Sequence, residues 1–113
     1  MNDDRQVRPP RFTVTLGTFR GVHEVRLAGE LDIVTAARLR DVLVSLPGPA
    51  IVVDLSDLEF IDAAGLSALV LAIRHHEGNG EPGRQLAVRG AHGLVRRVIE
   101  VGGLSGLLVD AAA

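Results

Sequence analysis

Apolar and polar positions alternate from Phe12 to Leu16 and again from Val22 to Leu27, the period of a half-buried strand. Gly17 to Gly21 separates the two runs, which therefore predict an antiparallel hairpin. The pattern leaves open which face of the second run is buried, Val22, Glu24 and Arg26 or His23, Val25 and Leu27. Gly29-Glu-Leu-Asp32 then breaks the strand, and Asp32 or Thr35 offers an oxygen to cap a helix. In that helix Leu39, Val42, Leu43 and Leu46 recur at helical spacing and share one face. Pro47-Gly-Pro49 ends it.

Ala50 to Leu55 is an apolar run without alternation, which predicts a central strand covered on both faces. After Asp57-Leu-Glu-Phe-Ile61 a second helix begins, with Asp62 as its N-cap and Leu66, Leu69, Val70 and Ile73 as its inward stripe. His75 to Gly83 is a turn-rich exit. Gln85 to Arg89 reads as a further core strand, and the helix after Gly90-Ala-His92 turns Leu94, Val95, Val98 and Val101 inward. Gly102-Gly103 stops that helix, and Leu107 to Val109 forms a last short strand. This strand and helix alternation predicts one α/β domain over residues 12–110 with a mainly parallel sheet. Residues 1–11 read as a flexible lead-in and 111–113 as a tail.

Composition narrows the function. The chain has 113 residues, 47% of them hydrophobic, enough for the core of one domain. Its only aromatics are Phe12, Phe19 and Phe60, and its formal charge is −2. Basic residues are scattered, so neither a basic footprint nor a stacking platform for nucleic acid is present. There is no cysteine, hence no disulfide or thiolate metal site. Neither a signal core nor an apolar run long enough to span a bilayer is seen, so a cytoplasmic protein without membrane insertion is expected.

Catalytic chemistry finds little support. His75 and His76 point in different directions on a helix end, and His23 and His92 are singletons, so no metal ligand set is expected. Ser45, Ser56, Ser67 and Ser105 stand in no Gly-x-Ser-x-Gly elbow. Gly78 to Gly83 lacks the Lys-Ser or Lys-Thr of a phosphate loop. Asp32 and Asp62 each follow a strand and open a helix, which in a parallel sheet places them on one edge, where such folds carry their sites. The helix after Asp62 starts on Ala63, Ala64 and Gly65, leaving its unsatisfied N–H groups and positive end open to a partner surface or an anion. No nucleophile stands at that tip, so catalytic residues and cofactors are expected to be absent and the chain reads as a docking module.

Gly29-Glu-Leu-Asp32, Val52-Val-Asp-Leu-Ser56 and Phe60-Ile-Asp-Ala-Ala-Gly-Leu66 together resemble the STAS domain family of sulphate transporters and anti-sigma factor antagonists. The resemblance implies a four- to five-stranded mixed, mostly parallel sheet with helices largely on one face. It implies a partner, an anti-sigma factor of the serine-kinase type with a kinase-like ATPase fold, whose capture frees a sigma factor. Glu30, Asp32, Asp62, Gly65 and Leu66 match the motif, and with Ala63 and Ala64 they make the expected partner-binding set. In the family a Ser or Thr follows the junction Asp and is phosphorylated; here Ala63 cannot be, which leaves three readings: the chain is natively unswitchable, another hydroxyl such as Ser67 or Ser56 substitutes, or an engineered Ser-to-Ala change is present. Alternatives are a STAS subunit of a transporter, such as a lipid-transport assembly, or of a signalling scaffold, and, ranked below these, a small phosphate- or nucleotide-binding enzyme. Weak homodimerisation through the outer strand stays open.

Overall fold

A computed structural model describes residues 12–46, 50–78, 85–104 and 108–109. The lead-in, the tail, Pro47 to Pro49, most of the exit after the second helix, and the side chain of Ile73 lie outside the described residues. The elements run β1 (Thr13–Phe19), β2 (Val22–Leu31), α1 (Ile33–Ser45), β3 (Ala50–Ile61), α2 (Ala63–Gly78), β4 (Gln85–Arg89), α3 (Gly93–Val101) and β5 (Leu108–Val109). They form a five-stranded sheet in the order β1-β2-β3-β4-β5. The β1–β2 hairpin is antiparallel, and β2, β3, β4 and β5 pair in parallel. Each parallel crossover advances one strand in the same direction, so crossovers of one hand stack the helices on one face. No helix among the described residues is long and apolar enough to cross a membrane.

Burial resolves the face that the sequence left open. Val25, Leu27 and Leu31 of β2 point into the core with Ile51, Val53, Leu55, Leu58 and Ile61 of β3 and Val88 of β4. From the helices, Leu39, Leu43, Leu69, Val95 and Ile99 close over them. Val42, Leu46 and Leu66 pack at the margin, as their helical spacing predicts.

The strand β3 departs from expectation in two ways. Helices cover only one of its faces. On the other, Asp54 is buried beneath ion pairs: Arg89 bonds both Asp54 and Glu24, and Arg26 lies near the same two carboxylates. This charged cluster, not a second helical layer, accounts for the protection of Asp54. The strand also continues past Ser56 to Ile61. Register shifts between Arg26 and Ala28 and between Gly29 and Glu30 interrupt the two-residue period there. Gly29 takes φ +94° at this irregularity, a conformation that a Cβ disfavours.

The inward stripe of α3 also differs. Val95 and Ile99 are fully buried and Val98 packs against the core, whereas Leu94 is 55% and Val101 80% exposed. The helix lies on the sheet along 95, 98 and 99, a second solution of the same helical period.

Candidate docking site at the starts of the first and second helices

The parallel pairing of β2 and β3 ends at Leu31 opposite Ile61. One residue further, the Asp62 N–H donates to the Leu31 carbonyl at 3.2 Å. Asp32 and Asp62 therefore stand side by side at the carboxyl edge of the sheet, each opening a helix. The Asp32 carboxylate accepts the N–H groups of Val34 at 2.9 Å and Thr35 at 3.1 Å. In return the Thr35 hydroxyl accepts the Asp32 N–H at 2.9 Å and donates to the Glu30 carbonyl at 3.0 Å. The Thr35 N–H bond, foremost among these donors, holds the Asp32 carboxyl below its ordinary range against the opposing effect of desolvation. Asp62 caps α2 in the same manner, accepting the Gly65 N–H at 2.8 Å, while its carbonyl takes the Leu66 N–H at 2.9 Å. Both carboxylates are thus occupied as helix caps, which fits positioning rather than acid–base work.

The three small residues after Asp62 have different roles. Ala63 is exposed and Ala64 half-buried, so these two offer a low-relief surface. Gly65 is buried. A Cβ there would meet the Leu31 backbone, with the carbonyl carbon at 2.8 Å and the Leu31 Cγ at 3.0 Å. Gly65 supports the surface from beneath by letting α2 approach the end of β2. Leu66 is half-buried against the core. Ser67 is exposed and borders an apolar groove of about 300 Å³ shared with Leu66, Val70, Leu71 and Leu104. Ser56 is exposed further back on β3, where its N–H donates to Asp54 and its carbonyl meets the His92 Nε2 at 2.8 Å.

Several surface residues escaped the sequence reading. Ile33 and Val34, in the first turn of α1, are 74% and 79% exposed. Their signal was an apolar doublet directly after an N-cap and outside the Leu39 and Leu43 stripe. Phe60 is partly exposed and pairs in register with Glu30. Glu30, Asp32 and Asp62 are half-buried, and Glu59 is exposed. Among the described residues none of these four carboxylates takes part in an ion pair. No cluster of three His, Cys, Asp or Glu side chains suited to a metal occurs among the described residues.

A mixed sheet of this order, with paired aspartate caps on one edge, defines a small α/β domain. The chain matches the family described as "Mlab, STAS domain" over residues 18–110, and it belongs to the STAS domain family. It is 39% identical over 64 residues to the anti-sigma-F factor antagonist RsfB of Mycobacterium tuberculosis, a match covering 54% of this chain and 52% of that protein. The match thus spans about half the length of that curated relative. An anti-sigma factor antagonist from Mycobacterium paratuberculosis is similar in structure, with a TM-score of 0.76 and 28% identity over 94% of this chain and 90% of that one. The antagonist SpoIIAA in its unphosphorylated form shares the fold at 22% identity, with a TM-score of 0.71 and 88% of each chain covered.

Proposed function

We propose that this protein is an anti-sigma factor antagonist, a docking module that captures an anti-sigma factor of the kinase-like ATPase class and so releases a sigma factor. The observation that carries this reading is the bare start of α2. There exposed Ala63 and half-buried Ala64 follow the helix cap Asp62 and lie beside Asp32, the cap of the neighbouring helix. The likeness to RsfB and to the Mycobacterium paratuberculosis antagonist supports it. Glu30 and Asp32 supply negative charge that guides encounter and orientation more than it adds affinity. The module acts by binding in the cytoplasm and performs no chemistry itself. Position 63 has no hydroxyl to receive phosphate, so the complex is not switched at that residue.

The test starts from purified complexes of a sigma factor with each kinase-fold anti-sigma factor of the source genome. Adding this chain releases free sigma factor from one of them on gel filtration, and ATP leaves the intact mass of the chain unchanged. Failure to displace sigma from any of them refutes the antagonist reading. A mass increase matching one phosphate, mapped to Ser67 or Ser56, refutes the unswitched state.

A further inference from the structure

We propose that Ile33 and Val34 are the apolar anchors of the partner interface, and that they seat in an apolar hollow bordered by arginine or lysine on the anti-sigma factor. This inference rests on the docking reading above. The first turn of α1 exposes two large aliphatic side chains in succession, at 74% and 79%. Nothing in the local structure requires them. Capping by Asp32 uses the N–H groups of Val34 and Thr35, which any residue but proline at 34 leaves in place. The helix packs through Ala36, Leu39 and Leu43. Both residues are β-branched, so in a helix their χ1 angles are largely fixed before binding, and little side-chain freedom is lost on docking.

Their surroundings specify the partner. Ile33 opens α1 as Ala63 opens α2, and the two helix starts adjoin through Asp32 and Asp62 at the ends of paired strands. Beside this apolar centre, at the ends of β2 and β3, lie the carboxylates of Glu30, Asp32 and Asp62, free of ion pairs among the described residues. On the open face of the sheet, by contrast, Glu24 and Asp54 are matched within the chain by Arg89 and Arg26. An apolar centre inside a polar border is the anatomy of a binding hot spot, and an acidic border selects a basic counterpart.

The test immobilises the full chain and measures association and dissociation of each purified kinase-fold anti-sigma factor of the source genome. The comparison is between wild type and the double variant Ile33→Ser with Val34→Ser. Both positions are exposed, so the variant keeps its circular dichroism spectrum. The expected result is binding weakened at least about tenfold, mainly through faster dissociation, with Val34→Leu retaining wild-type strength. Association of the wild type slows as sodium chloride rises from about 0.05 to about 0.5 M. If the double variant binds as tightly as wild type, the anchors are misassigned while the docking reading stands. An association rate indifferent to salt overturns the basic border. Wild type binding to none of these proteins overturns the docking reading and this inference together.

Discussion

Replacing Gly65 with alanine tests how the site is held in place. The added methyl carbon would sit 2.8 Å from the Leu31 carbonyl carbon and 3.0 Å from its Cγ, and closer still to the carbonyl oxygen. Carbon atoms rest comfortably at about 3.5–4.0 Å, so the start of α2 must retreat by roughly 0.7 Å or more. Leu31 is held in register with Ile61 of β3 and its carbonyl accepts the Asp62 N–H, so its backbone cannot give way like a flexible side-chain tip. Retreat also strains the Asp62 N–H bond to the same carbonyl. Overpacking of this kind costs about 1–3 kcal/mol. Loss of that hydrogen bond adds about 1 kcal/mol. Alanine recovers about 1 kcal/mol of helix propensity over glycine. The net expectation is a loss of about 2 kcal/mol, or a fall in melting temperature of roughly 10 °C for a domain of this size. Urea unfolding followed by circular dichroism measures it. A Gly65→Ala protein as stable as wild type, or more stable, would refute the claim that Gly65 is a packing residue.

Val95→Ala should cost about 2–3 kcal/mol and Val101→Ala less than about 0.5 kcal/mol in the same urea assay, because only the first side chain is in the core; equal losses would restore the inward stripe read from the sequence. Burial raises the Asp54 carboxyl, but the Ser56 hydroxyl and N–H and the Arg89 guanidinium outweigh it and hold the group below its ordinary 3.8. With the folded value below the unfolded one, this contribution is present at neutral pH and is lost as pH falls through the folded value. Asp54→Asn should therefore flatten the dependence of the urea midpoint on pH in the acid range below the ordinary carboxyl value of 3.8, and an unchanged slope there counts against the ion cluster. Ala63→Arg should abolish measurable binding of the anti-sigma factor in calorimetry, while an exposed cation at a helix start costs only about 0.5 kcal/mol of stability; unimpaired binding removes Ala63 from the interface.

Much of the fold was legible because its signals are local. The hairpin, the aspartate caps, the inward stripe of α1 and the burial of Leu69 in α2 rest on residues within a few positions of one another. What stayed hidden depends on partners distant in sequence. The Glu24, Arg26, Asp54 and Arg89 cluster exists only once the register sets β2, β3 and β4 side by side. The full length of β3 was masked by the irregularities near Gly29, which place polar Ser56, Asp57 and Glu59 within a strand. In α3, the stripes 94, 95, 98, 101 and 95, 98, 99 both satisfy the helical period, and only the position of the sheet chooses between them. Ala63, Ala64 and Gly65 look equivalent in a sequence, yet successive helical residues turn by about 100°. Gly65 shares its face with buried Leu69, four positions on, and that spacing was the available clue.

Hydrogen exchange with mass spectrometry, on the chain alone and saturated with the anti-sigma factor it is proposed to bind, maps the docking surface peptide by peptide. Slowed exchange is expected in peptides spanning 30–36 and 60–68, with the β1–β2 hairpin tip unchanged. Protection confined to that tip or to the open face of the sheet, with the two helix starts exchanging as before, would contradict docking through the helix starts.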